Sequence, residues 1–166
     1  NKQIKIRGYI SCVLGCPYEG DITPSEVVRV ANWMQEHGAT EISLGDSIGV
    51  GTPYKARELI KHVRQDVPIE RIAVHFHDTY GQALANILSC LEEGVRTIDS
   101  SIAGLGGCPY APGASGNVAS EDVIYMLHGM GMNTGINLKN AVQAGNWVSA
   151  QLNRANNSRV GNALAV

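Results

Sequence analysis

The alternation of short apolar segments with amphipathic helical segments is the feature that most limits what this chain can fold into. Runs rich in Ile, Val and Leu predict strands over residues 4–14, 41–44, 71–76 and 95–102. Helices are predicted to begin near Pro24, Pro53, Gln82, Ser120 and Leu138, and the last ends near Leu152. Because a helical crossover returns the chain to the same end of the sheet, strands joined in this way run parallel. The sequence therefore predicts the α/β class.

Two architectures satisfy this alternation. A closed (β/α)8 barrel takes about 250 residues, whereas this chain has 166. The four units fit a small open sheet with helices on both faces, and they fit equally the second half of a (β/α)8 barrel. Hydrophobic periodicity alone does not separate these two architectures.

Composition excludes several classes of function. With 13 Lys and Arg against 15 Asp and Glu, the formal net charge is −2, and no cluster of basic residues is present. These charges do not favour a nucleic-acid partner. No run of 18 apolar residues predicts a membrane span. The four cysteines are too few for a disulfide scaffold, which favours a reducing intracellular compartment.

The start of the sequence also carries an expectation. The first residue is Asn1, not Met, and an apolar strand pattern begins almost at once. We therefore expect the chain to be a piece of something longer.

Polar residues concentrate in the turns that follow strands, where parallel α/β folds hold their ligands. His75 and His77 flank Phe76 at the end of the third predicted strand, and residues two apart in a strand share a face. Two neutral imidazoles that converge there are expected to bind a metal ion. Asp46 and Asn117 are the candidates for oxygen ligands. Nitrogen and oxygen ligands of this kind suit Mn²⁺, Mg²⁺ or Zn²⁺.

The glycine-rich segment over residues 104–116 is the second feature that indicates chemistry. It lacks the spacing of a dinucleotide-binding loop, and no Gly-Lys pair follows to make a nucleotide-phosphate loop. We therefore expect no organic cofactor. Cys108 lies within this segment, and a cysteine near a divalent cation has a lowered pKa and can exchange protons near neutral pH.

Together these segments resemble 3-hydroxy-3-methylglutaryl-CoA lyases over nearly the whole chain. The motifs that carry the resemblance are SLGD at residues 43–46, VHFHDTYGQ at 74–82, GLGGCPYAPGASGN at 104–117 and SCVLGCPYEG at 11–20. That family has a (β/α)8 barrel with a divalent cation at its mouth. The resemblance thus implies that residues 1–166 form the C-terminal half of one catalytic barrel domain, a single incomplete domain with the last four strands.

The resemblance also implies an activity. Such lyases cleave hydroxymethylglutaryl-CoA to acetyl-CoA and acetoacetate in ketone-body formation and leucine degradation, with Mg²⁺ or Mn²⁺. By match to the motifs, His75, His77 and Asn117 would bind the metal. Asp46 would help to remove the proton of the tertiary hydroxyl, His75 would also take part in proton transfer, and Cys108 would act as an acid towards the acetyl-CoA enolate.

The remaining implications concern partners and completeness. The substrate would be an acyl-CoA, the full-length enzyme a homodimer, and the location the bacterial cytoplasm or the mitochondrial matrix. The family's first strand carries an Arg-Asp pair that these 166 residues lack. We therefore expect weak metal affinity and little or no lyase activity from the chain alone.

Two other functions are compatible with the motifs. Isopropylmalate and homocitrate synthases share the His-x-His strand and the later Asn, but they lack the Cys-Pro-Tyr segment that contains Cys108. A non-catalytic metal-binding fragment would bind a cation without releasing acetoacetate.

Overall fold

The computed structural model describes residues 4–107 and 116–164. Four strands are formed: β1 (Arg7–Ile10), β2 (Glu41–Asp46), β3 (Ile72–Phe76) and β4 (Thr97–Asp99). Six α-helices follow the order α1 (Pro24–Glu36), α2 (Pro53–Val63), α3 (Ala83–Glu92), α4 (Ser120–Gly129), α5 (Leu138–Gln151) and α6 (Arg159–Ala163). Two 3₁₀ turns cover Ile69–Arg71 and Ile102–Gly104. The predicted α/β class is confirmed.

The main differences from the sequence-based elements lie at the first and last strands. β1 and β4 are shorter than the segments predicted for them, because Cys12 adopts a φ of 61° and Ile102 already belongs to a 3₁₀ turn. The short helix α6 was not predicted. The start of α1 matches its sequence signal: the backbone N–H and the hydroxyl of Thr23 both donate to the Glu26 carboxylate, at 2.8 Å each.

Strand order settles which of the two architectures is present. All four strands are parallel and lie in the order β1-β2-β3-β4. Crossovers between parallel strands are almost always right-handed, so a sheet built in sequential order carries its connecting helices on one face. An open sheet with helices on both faces needs a reversal of strand order. The arrangement is that of a barrel segment.

The two faces of this sheet are unlike. On the face covered by helices, the side chains are apolar and buried, as in Ile10, Leu44, Val74 and Phe76. The opposite face carries polar side chains, because residues two apart share a face and the register aligns them across strands. These polar residues are Arg7, Tyr9, Ser43, His75 and Asp99.

A contact across the whole sheet shows its curvature. Arg7 on β1 donates through Nη1 to Oδ1 of Asp99 on β4, at 2.7 Å, and it also pairs with Glu41. In a flat sheet these two strands would be about 14 Å apart, three strand spacings. The side chains meet because the sheet curls and makes its polar face concave, as in a barrel wall.

The described residues form two compact units, one of residues 4–99 and one of residues 100–107 and 116–164. In the second unit, α4, α5 and α6 pack against one another. Asp122 fastens α6 by accepting hydrogen bonds from the Ser158 hydroxyl at 2.7 Å and the Val160 N–H at 2.8 Å. The described part of the chain contains no helix long and apolar enough to cross a membrane.

Candidate active site

The histidine pair lies at the end of β3. His75 is the penultimate residue of the strand and His77 follows its last residue, so both imidazoles extend from the polar face. The ring centroids are 5.6 Å apart and the ring planes are tilted by 49°. Burial and the neighbouring His75 lower the pKa of His77. His77 is therefore a neutral imidazole at neutral pH, the form that binds a metal ion.

Buried nitrogen atoms without hydrogen-bond partners test whether this pair fits a metal ion. The Nδ1 atoms of both His75 and His77 are buried and form no hydrogen bond. Buried polar atoms are normally satisfied, so two neighbouring exceptions are typical of a ligand-binding site. Within residues 4–107 and 116–164, no three His, Cys, Asp or Glu side chains are clustered so as to hold a metal. An amide oxygen is another type of ligand that the described residues offer.

Asn117 has the geometry of such a ligand within its own unit. Its Nδ2 donates to the carbonyl oxygen of Leu105 at 2.9 Å, which fixes the orientation of the amide. Its Oδ1 is then left buried and without a hydrogen-bond partner. Gly106 is required beside it, because φ there is +89° and a Cβ atom would lie 2.9 Å from Nδ2.

The cysteine that the sequence singles out, Cys108, lies outside the described residues, as does all of the segment 108–115. Cys90, in contrast to the reactive thiol expected of Cys108, is a buried and unreactive cysteine on α3. Burial raises its pKa to about 12, so it stays protonated and unreactive at neutral pH.

Asp46 ends β2 beside the histidine strand. It pairs with Phe76 in the sheet register, and its carbonyl oxygen accepts a hydrogen bond from the N–H of His77 at 3.3 Å. Its side chain leaves the sheet on the face opposite to that of His75, because side chains alternate along a strand. The carboxylate is fully buried, with Oδ2 held by the Gly51 N–H at 2.8 Å and Oδ1 without a partner. Burial raises the pKa of this carboxyl, and backbone N–H groups of Gly51, Val50 and Gly49 oppose that shift.

Three polar residues around His75 were not singled out from the sequence as site residues. Asp99 is its register partner on β4, with Oδ2 at 3.9 Å from Nδ1 of His75. The same oxygen accepts the Ser43 hydroxyl at 2.9 Å, and the Tyr9 ring stands edge-on to the imidazole with centroids 6.2 Å apart. The one sequence feature that could have indicated them is that each interrupts a short apolar strand with a polar side chain. Only the register shows that these residues share one face.

The family comparison matches most of the chain. The model of the HMGL-like family matches residues 2–148. A 3-hydroxy-3-isohexenylglutaryl-CoA/hydroxymethylglutaryl-CoA lyase of Pseudomonas aeruginosa is 57% identical over 162 residues, which are 98% of this chain and 54% of that protein. The mitochondrial hydroxymethylglutaryl-CoA lyase of Homo sapiens is 56% identical over 160 residues, 96% of this chain and 49% of that protein. The chain thus spans about half the length of the curated relatives it matches.

Solved structures agree with this comparison. The hydroxymethylglutaryl-CoA lyase of Pseudomonas aeruginosa superposes with a TM-score of 0.94 at 57% identity, covering 98% of this chain and 54% of that one. An HMG-CoA lyase of Acinetobacter baumannii, solved with coenzyme A and 3-methylmalate, has a TM-score of 0.91 at 35% identity, covering 95% of this chain and 52% of that one. With the sheet topology described above, these matches identify the segment as part of a (β/α)8 barrel. The chain belongs to the HMGL-like family.

Proposed function

We propose that this chain supplies the metal-binding and thiol-bearing half of a hydroxymethylglutaryl-CoA lyase. The observation that carries the proposal is that the Nδ1 atoms of His75 and His77, at the end of β3, are buried without hydrogen-bond partners. It stands in a chain that shares 57% of its residues with a protein named as such a lyase.

The proposed metal ligands are His75, His77 and Asn117. Enzymes of the HMGL-like family depend on divalent metals, and Mg²⁺ or Mn²⁺ suits one amide oxygen and two imidazoles with positions left for the substrate. Held there, such a cation would polarise the substrate's hydroxyl and carboxyl oxygens and so make the hydroxyl easier to deprotonate. The neutral state of His77 and the fixed amide of Asn117 support these two assignments.

The proposed chemistry is the reverse of a Claisen condensation. His75 removes the proton of the tertiary hydroxyl, a carbonyl forms at that carbon, and the neighbouring carbon–carbon bond breaks. Its electron pair passes to the methylene carbon of the departing acetyl-CoA enolate. Cys108 donates its thiol proton to that carbon, which gives acetyl-CoA, while the other product is acetoacetate.

Asp46 is proposed to assist the removal of the hydroxyl proton. Its buried carboxylate, with a raised pKa and one unpartnered oxygen, supports a role in the site. Because its side chain leaves β2 on the face opposite to that of His75, we assign direct proton removal to His75 and a supporting part to Asp46.

The wider setting is proposed from the relatives. An acyl-CoA substrate is supported by the lyase names and by the structure solved with coenzyme A. The relatives are bacterial, mitochondrial and cytoplasmic proteins, and we propose a bacterial cytoplasm or a mitochondrial matrix for this chain. A homodimer is proposed for the full-length enzyme, working in leucine degradation and ketone-body formation.

The function is tested by site variants in a complete barrel, made by joining this chain to the N-terminal half of the Pseudomonas lyase. His77→Ala should lower Mn²⁺-dependent cleavage of hydroxymethylglutaryl-CoA at least about 100-fold, because it removes a metal ligand. The matched control is His62→Ala, since His62 is an exposed histidine on α2 whose Nδ1 lies 2.7 Å from the carbonyl oxygen of Glu58 on the same helix. Equal activity of both variants would contradict the metal assignment.

The same protein separates a lyase from a condensing synthase. Cys108→Ala should abolish cleavage if the thiol protonates the enolate. A joined protein that condenses acetyl-CoA with a 2-oxo acid, and whose rate does not change in Cys108→Ala, would be a synthase.

A further inference from the structure

A chain of buried contacts connects helix α3 to the end of β2. Asn86 on α3 is 1% exposed, and its Nδ2 donates to the carbonyl oxygen of Gly51 at 3.0 Å. The N–H of Gly51 in turn donates to Oδ2 of Asp46 at 2.8 Å. Both backbone polar groups of Gly51 are therefore bonded to side chains, its carbonyl oxygen to the Asn86 amide and its N–H to the Asp46 carboxylate. We call Asp46, Gly51 and Asn86 the strand-end clamp.

The strand-end clamp leaves no room for a side chain at Gly51. A Cβ atom on Gly51 would clash with Cδ1 of Leu14 and would lie 2.7 Å from Oδ2 of Asp46 and 3.2 Å from Nδ2 of Asn86. Cβ contacts below 3.0 Å force atoms to shift, so a side chain here would displace the carboxylate. Only glycine allows both hydrogen bonds to form at this separation.

The clamp also reaches the histidine strand. The carbonyl oxygen of Asp46 accepts the N–H of His77 at 3.3 Å and that of Gly49 at 3.2 Å, so the turn after β2 and the end of β3 share one acceptor. In that turn, a Cβ on Gly49 would lie 2.9 Å or less from Thr79. Asn86, Gly51 and Asp46 thus form a continuous series of hydrogen bonds that ends at the backbone of His77.

We propose that Asn86 is a positioning residue for the active site and acts through Gly51 on Asp46 and the end of β3. It is not one of the proposed metal-binding or proton-transferring residues. Its amide fixes Gly51, and Gly51 fixes the carboxylate and the strand-end turn beside His77. This proposal rests on the proposed lyase function for its kinetic consequence, but its structural consequence can be measured without turnover.

The structural arm uses hydrogen exchange on the 166-residue chain. Loss of the Asn86 donor should speed amide exchange at Gly49, Val50 and Gly51 by about tenfold or more, because the turn opens more readily. Asn86→Leu and Asn86→Ala both remove the donor but differ in side-chain volume. Faster exchange in both variants would therefore result from loss of the hydrogen bond and not from a change in packing. The control is Ser89→Ala, which removes a buried hydroxyl bonded to the Asn86 carbonyl on the same helix at 2.8 Å. Unchanged exchange in both Asn86 variants would overturn the proposal.

The kinetic arm uses the barrel completed with the Pseudomonas N-terminal half. Both Asn86 variants should lower kcat about tenfold or more while KM for the acyl-CoA changes less than about threefold, because the clamp positions reacting groups and not the substrate's CoA portion. In an Asp46→Ala background, Asn86→Leu should cause a smaller loss of kcat than it causes alone, since part of its effect passes through the Asp46 carboxylate. Full additivity of the two losses would show that Asn86 acts elsewhere and would overturn the proposal.

The two arms separate the failure of this inference from the failure of the lyase function. A completed barrel that folds but cleaves no substrate would refute the lyase function, and the exchange result would still decide the role of Asn86 in the turn. An active barrel in which Asn86→Leu and Asn86→Ala match Ser89→Ala in kcat would refute the positioning role alone.

Discussion

The carboxylate of Glu121 is fully buried, and both of its oxygens accept the N–H of Ala103, at 3.0 and 3.1 Å. This contact between distant residues leaves no periodic pattern in the sequence, so Glu121 was not singled out there. The same is true of the Oδ1 atom of Asn117, whose orientation depends on the hydrogen bond from its amide to Leu105, twelve residues earlier. His75 and His77 were predictable as a pair because the period of a strand alone places them on one face.

Glu121 gives a prediction about pH. Burial raises its pKa above the ordinary value of 4.5, so the folded chain keeps this proton to a higher pH than the unfolded chain does. Stability from this group is therefore complete below pH 4.5 and falls as pH rises through the folded-state pKa. Relative to Glu121→Gln, the free energy of unfolding should decline as pH rises from 4.5 towards neutrality.

Urea unfolding of the native chain and Glu121→Gln at several pH values measures this difference. Other titrating groups are common to both proteins and cancel in the comparison. A difference that is constant with pH, or that grows towards neutrality in favour of Glu121, would contradict the burial argument.

Among the elements, most helices and strands were predictable, but their ends and the way they assemble were less so. The start of α1 follows from Thr23, Pro24 and Glu26, which form a local capping signal. The choice between an open sheet and a barrel segment depended on strand order, which hydrophobic periodicity does not encode. The end of β4 was overpredicted because the chain turns at Ile102, where a buried Ala103 adopts a φ of 55°.

The turn between β2 and α2 gives a prediction at the scale of elements. Gly49 has a φ of +69°, and a Cβ there would lie 2.8 Å from Oγ1 of Thr79. Gly49→Ala should lower the free energy of unfolding by about 3 kcal/mol, from a strained backbone and a steric clash together. The matched change is Gly38→Ala, where φ is +95° but no atom lies within 4 Å; it should cost about 1 kcal/mol, from backbone strain alone.

Denaturant unfolding of the two variants measures both effects. Equal losses in Gly49→Ala and Gly38→Ala would mean that the turn moves away from Thr79 without cost. That result would contradict the close packing of this turn on the end of the histidine strand.

At the scale of the whole molecule, the sequence motifs predicted the family, and the family model and relatives confirm it. The sequence also predicted a half-barrel, which the curved four-stranded parallel sheet and the match to about half of each solved lyase support. The prediction that residues 1–166 form a single incomplete domain stays a prediction. So do the roles of Cys108 and of the individual metal ligands.

The central claim is that this chain carries one half of a lyase site and needs another half to act. The most direct test measures acetoacetate release from hydroxymethylglutaryl-CoA with Mn²⁺ by three proteins: the 166-residue chain, the chain joined to the N-terminal half of the Pseudomonas lyase, and the joined protein with Cys108→Ala. We predict release by the joined protein alone. Turnover by the isolated chain within about tenfold of the joined protein, or no loss of activity in Cys108→Ala, would contradict the account.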